Sequence, residues 1–323
     1  MPQPAERDNG VDQPEQGAPY LGDPDRQGSA ESADISPDEV DGADQGSDAV
    51  SRGMQFDRWM AERPWRPRLI PYAVYVAFLS LTGLVLTHAP QAYVPAYVVQ
   101  CALVGWLLWR NRRLTPELNL KFHWLAIPIG LGVAAAWIAL GQAMANLDPS
   151  RFGQDAEPFM AESQMGPAVG WAAFSMRLLG MSILVPLFEE LFIRSYLLRV
   201  FHRRRLVLLA VVQWLEELPV IGDRIIQTRL AREAASSGDV LTDAFESTPL
   251  GALSWTGVVL STAVFMVFHL PRDWPAIWVC GPAYCLLLAA TRRYGLGPVI
   301  WAHGLTNACL WGYTLATGDW RFL

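Results

Sequence analysis

LIPYAVYVAFLSLTGLVLTHAPQAYVPAYVVQCALVGWLLW, residues 69–109, contains no charged side chain between Arg68 and Arg110. Pro90 and Gln91, near its middle, divide it into two apolar stretches, 69–86 and 92–109. Each is close to the ~20 residues that carry a helix across about 30 Å of hydrocarbon. Residues 122–147, 247–271, 274–291 and 294–318 are uncharged as well. In lipid no water satisfies the backbone, so only helices and closed barrels can span it. Barrel strands would alternate polar and apolar positions over about ten residues, and that pattern is absent. The sequence therefore predicts an all-α, polytopic transmembrane bundle. Charge supports this reading: 17% of residues are charged, against roughly 25% in soluble proteins. An ordinary soluble enzyme is excluded.

A seventh apolar segment, 180–201, has the length of a span yet carries Glu189, Glu190, Arg194 and Arg199. The apolar stretch 206–215 is too short to span, and the polar residues 216–246 after it read as an excursion from the membrane with an amphipathic helix around 223–235. The expectation is a bundle of seven to eight helices. Residues 54–164 carry its N-terminal helices and residues 165–318 its core, with an insertion at about 216–250.

The charge is unevenly divided. Residues 1–50 hold thirteen Asp and Glu against Arg7 and Arg26, a balance of −11, while the remainder sums to +5. Residues 1–53 are rich in Pro, Gly, Asp, Gln and Ser and poor in large apolar groups. They cannot bury enough surface to offset ordering entropy, and a disordered acidic tail follows. The acidic balance belongs to this tail and gives no reason to expect nucleic acid as a partner. In the remainder, arginines gather at Arg58–Arg68, Arg110–Arg113, Arg203–Arg205 and Arg292–Arg293. The positive-inside rule puts these sites, and the N-terminus, in the cytoplasm. The acidic stretch around Asp148, Asp155, Glu157 and Glu162 then faces outward.

Cys101, Cys280, Cys285 and Cys309 all lie within apolar runs, as buried small hydrophobes do, and their spacing suggests neither zinc nor a disulfide framework. Charge inside the bilayer is costly and marks function by default. In Glu189-Glu190-Leu191-Phe192-Ile193-Arg194, Glu190 and Arg194 stand four apart on a helix, where their side chains meet and neutralise each other. Glu189 is rotated by about 100° and lacks that partner. An unpartnered carboxylate in an apolar site suits a general acid or base. A second polar position closes Phe265-Met266-Val267-Phe268-His269, and a third run, His303-Gly304-Leu305-Thr306-Asn307, puts His303 and Asn307 on one face. Taken singly, His269 reads as an interfacial residue, and His303 with Asn307 as hydrogen-bonding glue between helices. His88, His123 and His202 read as structural.

An EExxxR, an FxxxH and an HxxxN on three separate spans, in that order, resemble the CPBP family of intramembrane proteases. It includes the CaaX prenyl endopeptidases of the Rce1 type and the bacterial Abi proteins. The resemblance covers roughly residues 165–316. It implies that Glu189 and His269 activate a water, that His303 and Asn307 stabilise the oxyanion, and that Glu190, Arg194 and Phe265 support the site. The family is often labelled metalloprotease, and Glu189, His269 and His303 are the residues that would hold a zinc ion. Asn is a poor zinc ligand and the two histidines lack HExxH spacing, which favours a metal-free glutamate mechanism without a cofactor. The separation of about eighty residues between Glu189 and His269 is a departure from the family pattern. The topology also sets His269 near the outer end of its helix and His303 near the inner end of its own.

The resemblance implies a membrane-associated protein or peptide as substrate. From another class, an ion-coupled transporter could use the same ionisable residues as relay stations, and a non-catalytic scaffold or immunity protein is a third reading. Lys121 is the only lysine against 24 arginines, a bias that points to a GC-rich bacterial genome, to the inner (plasma) membrane, and away from a prenylated substrate. Because the acidic tail has no apolar surface to contribute to the bundle, removing residues 1–52 should leave thermal stability and peptide cleavage in detergent nearly unchanged. A truncated chain that folds but has lost turnover would contradict this.

Overall fold

Every regular element among the described residues is helical, and no strand occurs. The computed structural model describes residues 53–86, 92–153, 167–218 and 222–322. The acidic tail and the loop positions Asp155, Glu157 and Glu162 lie outside them. Helices α1 (Arg66–Leu86) and α2 (Tyr93–Arg110) cover the two halves of the opening uncharged run, and α3 (Ala126–Leu147) covers the next. A continuous helix, α4, runs over residues 167–200. Three helical stretches are long and apolar enough to cross a membrane: Ala126–Leu147, Gly170–Val200 and Pro271–Tyr294. The apolar helices Val94–Arg110 and Trp255–Val267 are shorter.

Helix α5 (Arg204–Glu216) leads into α6 (Gly222–Ile225), α7 (Arg229–Ser236) and α8 (Val240–Glu246). Thr228 starts α7 by accepting from the Ala231 amide, and Asp239 starts α8 by accepting from the Thr242 amide. Such caps satisfy amides that a helix leaves open at its first turn. The excursion folds back on α5 and builds a small core of its own from Leu209, Val212, Ala231, Ala234 and Val240. Phe245 on α8 ties this unit to the bundle. Its ring lies between two guanidinium groups, with Arg68 at 4.5 Å and Arg199 at 3.7 Å from the centroid. Arg68 also donates from Nε to Glu117 at 2.7 Å, so a nearly buried ion pair anchors α1 beside the excursion.

The last three helices are α9 (Trp255–Val267), α10 (Trp274–Thr291) and α11 (Gly297–Thr317). Ser254 caps α9, accepting from the Gly257 amide at 3.0 Å. Pro275 and Pro298 sit in the first turns of α10 and α11, where a missing amide proton costs nothing. Gly318, at φ 72°, ends α11 in a left-handed cap with its amide on the Thr314 carbonyl. Helix α11 packs along α3, α10 and the centre of α4.

The α11 interfaces are close because glycines stand in them. A Cβ on Gly130 of α3 would lie 2.7 Å from the Ala302 carbonyl oxygen. On Gly304 it would land on the Ser182 carbonyl oxygen of α4. Between apolar helices in lipid, such small residues let backbones approach and hydrogen bonds form across the gap. Thr306 uses the approach, donating to the Gly130 carbonyl at 2.9 Å.

This contact can be tested with two alanines. At Gly304→Ala the methyl group meets backbone that cannot swing away, an overpacking that costs roughly 1–3 kcal/mol. At Gly312, where no atom lies within 4 Å of an added Cβ, alanine should be neutral or slightly stabilising. Melting temperatures in detergent should fall by several degrees for Gly304→Ala and hold for Gly312→Ala; equal melting temperatures would contradict the close approach.

Candidate active site

The polar residues of α4 lie between two departures from regular α-helix. Residues 180–184 and 191–197 form π turns, and Val185–Glu190 is the α-helical segment between them. π-bulges recur at functional sites because they rotate the residues around them. Here they flank Glu189 and Glu190.

Glu190 is fully buried, and its carboxylate faces two cations or potential cations at once. Arg194 Nε lies 3.2 Å from Oε2, with both side chains almost wholly enclosed. His303 on α11 donates from Nδ1 to Oε1 at 2.7 Å. Sequence spacing predicts the first contact. The second is tertiary. Arg194 is further held by aromatic faces: its Cζ stands 4.7 Å from the Phe265 centroid and 5.4 Å from that of Tyr284. Removed from water, a guanidinium has few substitutes for hydration, and ring faces are among them.

Glu189 points elsewhere. Its side chain keeps 14% exposure, and Oε2 lies 3.8 Å from His303 Nε2, beyond a direct hydrogen bond. It lines a cavity of about 220 Å³ together with His269, His303 and Asn307. His269, just past the end of α9, donates from Nδ1 to the Phe265 carbonyl at 2.9 Å. Phe265 stacks edge-on against that imidazole at 4.6 Å and against His303 at 6.4 Å. Asn307 donates one amide proton from Nδ2 to the Met181 carbonyl, inside the first π turn, at 2.8 Å. An amide nitrogen has two protons, so one remains to be placed.

His269 and His303 thus share a cavity although sequence depth places them apart. The reason is the length of α9. Its 13 residues extend about 20 Å, well short of the ~30 Å hydrocarbon, so its end falls short of a full span and His269 comes level with the cavity.

Other cavity residues were not singled out from sequence. Arg177 is the one charged residue between Glu162 and Glu189, and the rule applied to the three motifs would have found it. Arg272 and Asp273 follow α9; Asp273 accepts from the Trp137 indole at 3.3 Å. Arg321 bonds Asp319 through Nε at 2.7 Å, which holds that carboxylate below the usual range. Trp137 and Trp311 belong to the apolar lining, and nothing in their local sequence separates them from the other tryptophans.

Among the described residues no three His, Cys, Asp or Glu side chains are grouped closely enough to hold a metal. His303 and His269 each have Nδ1 engaged, one on Glu190 and one on Phe265, so only Nε2 remains on each.

Residues 171–309 match the family model described as type II CAAX prenyl endopeptidase Rce1-like. This stretch is similar to the Rce1-like family. The match begins on α4 and ends on α11, and it takes in the EExxxR, FxxxH and HxxxN runs, in agreement with the CPBP and Abi resemblance. No curated protein and no solved structure matches. The similarity to that family over residues 171–309, together with the long apolar helices, supports an integral membrane protein.

The two adjacent glutamates should respond differently to the same change. Glu190→Gln leaves Arg194 buried without its counter-charge and weakens the link to His303. Breaking a buried pair costs roughly 3–5 kcal/mol, so yield and melting temperature should collapse. Glu189→Gln breaks no ion pair within 3.5 Å and should fold as the unaltered chain does. Thermal melts of both in one detergent decide it, and an unfolded Glu189→Gln would contradict the assignment.

Proposed function

We propose that this chain is an intramembrane endopeptidase that hydrolyses a peptide bond of a membrane-associated protein or peptide by a glutamate-dependent mechanism. The single observation that carries the reading is the meeting of Glu189, His269, His303 and Asn307 around one cavity inside an apolar bundle. In this reading seven helices cross a bacterial inner membrane: α1, α2, α3, α4, α9, α10 and α11. The N-terminus is cytoplasmic, and α5 with α6–α8 lies at the cytoplasmic face.

Each residue has a distinct task. Glu189 takes a proton from water held between its carboxylate and His269 Nε2, and the hydroxide adds to the substrate carbonyl carbon. The oxygen that gains charge is met by Asn307, through its second amide proton, and by His303. In that role His303 carries a proton on each nitrogen, Nδ1–H toward Glu190 and Nε2–H toward the cavity. Glu189 then returns its proton to the departing amine as the carbon–nitrogen bond breaks. Glu190, Arg194 and Phe265 touch no substrate; they fix the rotamers of the groups that do. Donors fixed in advance where charge develops are worth more in a water-poor site than in solution. No step is routed through a metal.

General-base catalysis contributes about 10²–10⁴ in rate, so Glu189→Gln should cleave at least about 100-fold more slowly while keeping its melting temperature. The unaltered enzyme should keep its turnover after treatment with a strong chelator. Near-normal cleavage by Glu189→Gln removes the base assignment. Loss of activity with chelator, restored by zinc, removes the metal-free mechanism.

A further inference from the structure

The cavity extends from the reactive groups in one direction only. Along α4 its lining residues are Arg177, Met181, Val185 and Glu189, none of them beyond Glu189 toward the C-terminal end. Along α11 they are His303, Asn307, Leu310 and Trp311, none of them before His303. His303 meets Glu190, and Asn307 meets the Met181 carbonyl, so the two helices run antiparallel and both sets lead to the same end of the bundle. The eight helical steps from His303 to Trp311 rise about 12 Å. At the end of α9 the lining starts at buried Phe265, 1% exposed, and proceeds past the helix to Phe268 at 49% and Leu270 at 55%. Glu189 and His303 form the closed floor, and the mouth lies where the α9–α10 turn meets the residues after α11.

Basic residues define the other end. Arg110, Arg112 and Arg113 stand at the end of α2 and just after it, Arg203–Arg205 at the start of α5, and Arg292 and Arg293 separate α10 from α11. None of these lines the cavity. At the mouth end Arg177 lines the cavity, and Arg151, Arg272 and Arg321 stand within three residues of Asp148, Asp273 and Asp319. Excess Lys and Arg in short loops marks the cytoplasmic face.

We propose that the cavity is loaded from the face opposite the arginine clusters, the extracytoplasmic side. Its substrate is a polypeptide segment already translocated to that side, which enters at the α9–α10 turn and descends to Glu189. For the word substrate this rests on the endopeptidase reading; the sidedness itself does not. The floor blocks a cytoplasmic segment, since Glu190 and Arg194 are fully buried behind Glu189 and His303, and His303 itself is only 6% exposed.

Sidedness is read without any activity measurement. Leu270→Cys and Leu147→Cys report the mouth end, and Arg293→Cys reports the opposite end; all three side chains are exposed. Each is expressed in bacterial cells and treated with a membrane-impermeant maleimide before and after permeabilisation. The unaltered chain, with its four cysteines, gives the background. Labelling of Leu270→Cys and Leu147→Cys in intact cells, with Arg293→Cys labelled only after permeabilisation, is the expected result. Labelling of Arg293→Cys in intact cells, or protection of both mouth positions, overturns the proposal. A parallel arm adds an impermeant peptide mixture to right-side-out and to inverted vesicles. Cleavage in right-side-out vesicles alone is expected, and cleavage in inverted vesicles alone overturns the proposal. Absence of cleavage in both, with the labelling as expected, removes the endopeptidase reading and leaves the sidedness standing.

Discussion

A single carboxylate, that of Glu190, holds the centre of this molecule together. It is enclosed completely, and it faces Arg194 on its own helix and His303 on α11. Inside a bilayer the alternative to pairing is an ion with neither water nor counter-charge, which costs far more than any packing defect. The geometry of α4 relative to α11 is therefore fixed wherever those three groups can meet. Glycines at 130 and 304 then allow the backbones to come that close. The order of dependence runs from charge to helix placement to cavity.

The same constraint explains the difference between neighbours in sequence. Glu190 and Glu189 are chemically identical and one residue apart, yet one is enclosed in the helix interface and the other faces the cavity. A turn of about 100° per residue separates them. Two π turns flank the pair and set which direction that turn takes. Rigid support beneath a free carboxylate is what a reacting group requires: its own contacts are few, and the contacts of its neighbour are many.

The insertion after α5 follows a different logic. It has its own small apolar core and reaches the bundle through Phe245, between Arg68 and Arg199. Arg68 bonds Glu117, which in turn accepts from Ser195, the residue after Arg194. The excursion thus touches the same helix that carries the reactive glutamates, from the end opposite the cavity mouth.

Much of this was legible in the chain. Uncharged runs fix the helical class, because lipid leaves the backbone no other partner. Four-residue spacing fixes Glu190 against Arg194, because helix geometry is local. The three polar runs carry the family resemblance, since charged and imidazole groups in apolar spans are rare enough to be informative together. Arg177 was legible too, by the rule that picked out those runs. What sequence could not decide is everything that depends on distance between helices. It gave no sign that His303 would reach Glu190, that Asn307 would bond the Met181 carbonyl, or that Trp137 and Arg321 would share the cavity. It also placed His269 and His303 at opposite depths, because an uncharged run of 25 residues, 247–271, reads as a full span. The helix within it has 13 residues, and Ser254 starts it late. Composition along one helix determines whether that helix enters the membrane; only packing between helices decides which side chains meet there.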